Sequence, residues 1–298
     1  MRAFLRQVPF LLIVMGGIVP LVADTEVSTG GAFTVAPFTT DHLLALGSST
    51  QGRLLVTNKA DETLSFSVSL RDFTTNEEGV DLWEEPGSHA RSLGNWITFS
   101  PAFLSVPSGG VGIVTYEITV PPPSELLTQS DPNGSHWAAI VVKSERERRE
   151  WEEVDEGERV TRFGIGIAFA YAIKIYVQID GTLRYELDAE EIEAGDGVGE
   201  VVATFRNVGN VILRPKVWME IRSLDGEILT TVESLVWTLQ PGKAHRYRFS
   251  TSDFSVAISD GDYQLAVIAD DGSKQLKGFL APLHISTPNE QEVEVVEE

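Results

Sequence analysis

The chain has 298 residues, 42% of them hydrophobic and 9% aromatic, with a formal net charge of −21 and no cysteine. That length leaves room for about two domains, and that apolar content rules out a disordered chain. The charge works against nucleic acid or anionic lipid as a partner, and the missing thiols exclude disulfides, thiolate metal sites and a cysteine nucleophile.

Residues 1–23 read as a signal peptide. Arg2 and Arg6 precede the apolar run "VPFLLIVMGGIVPLV", and the small residue Ala23 precedes Asp24. Pro9 and Pro20 interrupt a run already short for a membrane span, so a retained N-terminal anchor is the less favoured alternative. No later segment reaches the roughly eighteen consecutive apolar residues of a spanning helix, so the mature protein is expected to be exported, with no membrane span.

Strand patterns then follow one another. In "TLSFSVSLRDF" the apolar Leu64, Phe66, Val68 and Leu70 alternate with polar residues, and "VGIVTYEITV" and "HWAAIVVKS" repeat the pattern. Gly and Pro punctuate them at Gly79, Pro86, Pro101, Pro107 and the run Pro121 to Pro123. "WITFSP" and "FLSVP" read as two short strands at a sandwich corner, with Trp96 and Phe99 filling the core. An internal repeat matches "RLLVTNKADETLSFSVSL" to "VVATFRNVGNVILRPKVWMEI" around Asn58 and Asn207, "VPSGGVGIVTYEITV" to "LQPGKAHRYRFS", and "NGSHWAAIVV" to "SDGDYQLAVI". Gly261 and Tyr263 have the spacing of a tyrosine corner. The expected fold class is all-β: two immunoglobulin-like antiparallel β-sandwich domains in series. The first spans 24–179 with a charged hairpin extension at 143–160, the second spans 180–286, and 287–298 is an acidic disordered tail.

Two stretches stand out for candidate partner-binding residues. In "FGIGIAFAYAIKIYVQI", bulk falls on one face from Ile165 to Ile179, while Gly164, Gly166, Ala168, Ala170, Ala172 and Lys174 form the other. A smooth lane beside an edge strand lets another backbone approach, as strand addition requires; the bland alternative is that it accommodates the neighbouring domain or the long loop before it. Trp151, inside "KSERERREWEEVDEGERV", is either an interaction tip or a side chain folded back onto its own domain. The unbroken apolar face through Ile179 predicts one continuous strand and a restricted interdomain angle.

The order "FTVAP", "GRLLVTN", "SFSVSLRDF", "SLGNWITFSP", "FLSVPSGGVGIVTYEITVP" and "GSHWAAIVV" resembles the N-terminal immunoglobulin-like domain of the PapD-like superfamily. It is similar to bacterial envelope proteins with that domain, including WxL-interacting proteins. The second half, from "VATFRNVGNVILRP" to "DGDYQLAVIADDG", resembles the second domain of such proteins. The resemblance implies a bacterial source. In pilus chaperones of that superfamily a basic pair in the interdomain cleft holds a subunit's terminal carboxylate. Lys174 is the residue that could match, although "AFTVAPFTT" contains no arginine to partner it, and the alternative is a solvent-facing lysine. The single bulky face also departs from the outward-donating hydrophobics of those chaperones.

Enzymatic readings find no residue set. His42, His89, His136, His245 and His284 are scattered, "GSHWA" lacks the second glycine of a nucleophile elbow, and the acidic clusters match no EF-hand. The expectation is therefore a non-enzymatic exported binding or scaffold protein of a bacterial envelope or surface, with no cofactor or metal. Its partner would be an envelope or surface protein or a cell-wall polymer. The alternative is a periplasmic chaperone for assembly of surface or pilus subunits.

Overall fold

The computed structural model describes residues 32–124, 132–145, 150–155, 158–163, 168–196, 199–254, 256, 258–273 and 275–285. The signal segment, Gly164, Gly166 and the acidic tail lie outside the described residues. What is described is strand, turn and coil, with a single 3₁₀ turn at Thr251–Asp253.

The first half contributes β1 (Phe33–Ala36), β2 (Thr39–Leu44), β3 (Ser49–Asn58), β4 (Leu64–Thr75), β5 (Asp81–Glu84), β6 (Ile97–Ser100), β7 (Phe103–Val106), β8 (Val111–Thr119), β9 (Ser135–Glu145), β10 (Glu150–Asp155), β11 (Glu158–Phe163) and β12 (Ala170–Ile179). One sheet runs β1-β3-β8-β6, and the facing sheet runs β2-β12-β9-β4-β5 with β7 also on β4. Inward alternate residues from both sheets, including Phe33, Leu54, Phe66, Val114, Ile140, Ile173 and Ile175, form one core. The period-2 pattern is the cause, since only alternate side chains face the partner sheet.

Two of the chain's passages from one sheet to the other occur at a proline. β1 pairs with β3, and after Pro37 the chain continues as β2 in the other sheet; β6 pairs with β8, and after Pro101 it continues as β7 beside β4. Proline cannot supply the ladder's N–H, so it suits the break between two ladders. "WITFSP" and "FLSVP" are thus the two strands of a corner. Trp96 is buried in the core and Phe99 packs half-buried against it. Among the named strands pairing is antiparallel except β2 with β12, which is parallel; an isolated parallel bridge also joins Ser92 to Trp137.

The second half contributes β13 (Leu187–Ala194), β14 (Glu200–Asn207), β15 (Lys216–Arg222), β16 (Ile228–Glu233), β17 (Ala244–Ser250), β18 (Gly261–Asp270) and β19 (Lys277–Ile285). Its sheets run β13-β14-β17 and β16-β15-β18-β19 around a second core that includes Leu187, Phe205, Met219, Tyr247 and Val267. The tyrosine corner is present: the Tyr263 hydroxyl donates to the Ser259 carbonyl at 3.0 Å.

The internal repeat is visible atom by atom. Asn58 Nδ2 donates to the carbonyls of Glu62 and Val106 at 2.8 and 2.9 Å, while its Oδ1 accepts from Ala60 N at 2.9 Å. Asn207 Nδ2 donates to Val211 and Leu239 at 2.7 and 2.9 Å, and its Oδ1 accepts from Gly209 N at 3.0 Å. Both amides are buried, and each pins the turn after its own strand to the Pro–Gly turn that opens a later one. A buried amide with three partners is stable where an unpaired one costs several kcal/mol.

Candidate functional site

The site is built on β12. Even-numbered and odd-numbered residues of this strand send their backbone groups to opposite sides. Ile179 N bonds Gly134 O at 2.9 Å and Ser144 N bonds Phe169 O at 2.9 Å, so odd positions serve β9. Lys174 N bonds Phe38 O at 3.0 Å and Asp180 N bonds Leu44 O at 2.9 Å, so even positions serve β2. The pairing with β2 starts only at Lys174, because the chain before Pro37 has left for the other sheet. The backbone groups of Ala170 and Ala172 therefore point toward a side on which no strand pairs among the described residues. This is a short open edge at the mouth of the first sandwich.

Its side chains suit close approach. Ala168, Phe169 and Ala170 are exposed, Phe169 at 40%. Tyr171 stands edge-on to Phe33 at 5.0 Å between centroids and tilted to Phe38 at 5.9 Å, closing the core behind the edge. The expected bulky face is present from Tyr171 to Ile179, and Ile165 and Ile167 lie outside the described residues. The other face is not merely small. Tyr176 on it is buried, in a cluster with Phe73, Trp137, Ala139 and Ile212 of the second half, and Ala172 packs against that cluster. The lane thus serves two purposes: Ala172 accommodates the junction, while Ala168 and Ala170 remain open.

Lys174 is neither solvent-facing nor a free anchor. Its Nζ lies 2.8 Å from Asp81 Oδ2 and 5.0 Å from the Phe73 ring centroid. A basic partner does arrive, from the other sandwich: Arg214 lies over the Tyr176 ring at 5.0 Å and bonds Asp41 at 3.0 Å. Two cations and two carboxylates thus flank Tyr176, whose hydroxyl meets Thr238 and whose pKa burial pushes well above the usual phenol range. Nothing in "AFTVAPFTT" signals Arg214, because the partner lies 173 residues along the chain from Asp41.

The junction around this cluster is polar and continuous. Ser135 N donates to Asn210 O and Ile212 N donates to Ser135 Oγ, both at 2.8 Å. Buried Gln240 accepts from Thr75 N at 2.9 Å and donates to Phe73 O at 3.3 Å. Arg246 N donates to Glu77 O at 2.9 Å, and Gly79 sits against the Trp237 ring. These bonds join residues of the two sandwiches to each other, while β12 itself ends at Ile179, short of Gly181.

The charged extension forms a hairpin, β10 with β11, in which Trp151 stands opposite Arg162. The Trp151 side chain lies outside the described residues, as do Gly164 and Gly166. Among the described residues no cluster of metal-ligating side chains occurs, and no helix is long and apolar enough to cross a membrane.

No protein-family model matches the sequence, and no curated protein matches it significantly. Among solved structures the chain is similar to one from a chaperone–tip adhesin complex described as vital for biogenesis of CFA/I fimbriae. That match has 12% identity and a TM-score of 0.44, covering 85% of this chain and 98% of the other. It is also similar to the YadV chaperone, at 11% identity and TM-score 0.42 over 85% of this chain and all of that one (100%). The E. coli chaperone DraB matches at 11% identity and TM-score 0.41, over 83% and 95%.

Proposed function

We propose that this is an exported, non-enzymatic binding protein that holds an extended segment of an envelope or surface protein by strand addition at the open edge of β12. The observation that carries the reading is the pair of backbone positions, Ala170 and Ala172, directed at a side where β2 has not yet begun. A guest strand there would gain main-chain hydrogen bonds, each worth about 0.5–1.5 kcal/mol net, and alanine lets its backbone come close. Trp151 on the adjoining hairpin is the proposed second contact, and Lys174 a positioning residue at the junction end of the strand.

A second reading is an assembly chaperone, which releases what it binds. The shortness of the described edge favours it, since four residues before Lys174 offer few rungs and so a weak, reversible clasp. The junction adds a constraint. A carboxylate arriving at Lys174 or Arg214 must displace Asp81 or Asp41, so charge anchoring would be a switch between partners rather than capture by a vacant cation.

A photo-crosslinking residue at position 170, in cells that make the protein, tests both readings. The expected result is one dominant extracytoplasmic adduct, lost when Ala172→Pro removes the outward N–H. An adduct that persists with the mature surface indicates a scaffold; one that disappears during a chase indicates a chaperone. Crosslinks that Ala172→Pro leaves unchanged would refute strand addition at this edge.

A further inference from the structure

Among the described residues the second sandwich has no counterpart of a strand that the first possesses, and a groove lies in that place. The matched asparagines align the halves. Asn58 N bonds Gly110 O and Asn207 N bonds Lys243 O, so β8 corresponds to β17 with Val111 matching Ala244 and Thr115 matching Arg248. In the first sandwich the outer edge of β8 is covered by β6, with Ser100 opposite Thr115 and Phe99 opposite Tyr116. In the second, β17 is the last strand of its sheet. Odd residues of β17 face β14, as Thr251 N bonding Gly199 O confirms, so Arg246 and Arg248 direct their backbone groups outward.

One rung of that edge is already occupied. Arg246 N donates to Glu77 O, in the turn between β4 and β5. Beyond it a groove of about 340 Å³ opens beside Arg248 and Phe249, lined also by Val232, Leu235 and Trp237. Leu235 is 77% exposed and Val236 58%, an apolar lip with nothing over it among the described residues.

We propose that this groove takes an extended segment of a partner protein as an added strand on β17, apolar side chains inward and acidic ones outward. The first sandwich supplies the inward pattern, for in the same place Ile97 and Phe99 face the core while Thr98 and Ser100 face out. The outward pattern follows from charge. Arg246 and Arg248 stand on the exposed face, paired among the described residues with Glu193 and Glu200 in surface ion pairs, which are worth little and exchange readily, while Glu78, Glu233 and Asp253 also line the groove. An acidic residue opposite an arginine stabilises a strand pair, whereas a second copy of this chain added edge to edge would set arginine against arginine.

The test is a fluorescence titration of the full chain with a labelled peptide of about eight residues alternating valine and glutamate, within the usual strand length. Saturable binding is expected, weakened at least tenfold by Arg248→Pro, which removes an outward N–H, and by Arg248→Glu, which leaves the backbone intact. A valine–lysine peptide should bind at least tenfold more weakly, and Ala170→Pro on β12 should change nothing. That last control separates this site from the edge of the first sandwich. The proposal is overturned by no saturable binding up to about 1 mM, by equal binding in both Arg248 variants, or by loss of binding in Ala170→Pro alone. A self-association in sedimentation that Arg248→Pro abolishes would also overturn it, assigning the edge to a second copy.

Discussion

The two sandwiches share a frame and differ at their edges. Both pin their turns with a buried asparagine making the same three hydrogen bonds, and both carry alternating apolar strands after a Pro–Gly turn. The first adds β6 to the outer edge of β8 and lays β2 along half of β12; among the described residues the second does neither to β17 or β19. A repeated frame therefore fixes the cores, while short strands added or omitted at the margins decide which backbone groups stay available. Binding capacity in this chain is a matter of margins.

The largest expected effect tests whether the added strand is structural. Trp96 immediately precedes β6, is buried in the first core, and lies against His136 at 4.1 Å between ring centroids. Trp96→Ala should lower the stability of the first sandwich by about 3–5 kcal/mol and leave the second core packed. Tryptophan-depleted mutants followed by near-ultraviolet circular dichroism would show this; an unchanged melting midpoint would place "WITFSP" outside the core.

The matched asparagines sharpen the comparison. Asn58→Ala and Asn207→Ala each remove the same set of three hydrogen bonds, and each should cost about 2–4 kcal/mol. Chemical denaturation of the two variants should give similar losses. A large loss in one and none in the other would break the equivalence on which the alignment of β8 with β17 rests.

A smaller effect concerns how the halves are joined. Gly79 has φ +82°, and a Cβ there would meet the Trp237 ring. Gly79→Ala should cost about 1–2 kcal/mol and loosen the turn from β17, turning a single calorimetric transition toward two. A single transition at the wild-type temperature would show that the turn does not couple the sandwiches.

The smallest effect is pH dependence at the same place. Burial between Trp237 and the turn at Glu77 and Glu78 pushes the His245 pKa down to about 4 from 6.5. The unfolded chain takes up the proton first as pH falls, so this residue's contribution is intact above about 6.5 and is lost as pH drops toward about 4. His245→Gln should flatten the stability profile across that window. Parallel profiles for variant and parent would mean that the imidazole carries its proton equally in both states.

Much of this architecture is legible in the residues. Leu64, Phe66 and Val68 announce their strand by alternation, Asn58 and Asn207 announce the repeat, and Gly261 with Tyr263 announces its corner, because each signal depends on neighbours close in sequence. The site is less legible. The crossing of the chain between sheets at Pro37 leaves Ala170 and Ala172 open, yet Pro37 lies far from either in sequence. The pairing of Lys174 with Asp81 and of Arg214 with Asp41 arises where two sandwiches meet, and the burial of Tyr176 on the supposedly small face has the same origin. Local pattern specifies which face of a strand is apolar, but not which neighbour will cover it.

Strand addition at β12 requires one side of the strand to be open before Lys174. Amide hydrogen exchange measured residue by residue in the isolated protein tests it most directly. Tyr171 and Ile173 donate toward β9 and should exchange slowly, while Ala170 and Ala172 should exchange fast, with Lys174, bonded to Phe38 O, slow again. An alternation of fast and slow amides from 170 to 173 that ends at 174 is the predicted result. Uniform protection across Ala170 to Lys174 would show the edge already covered and would contradict strand addition there.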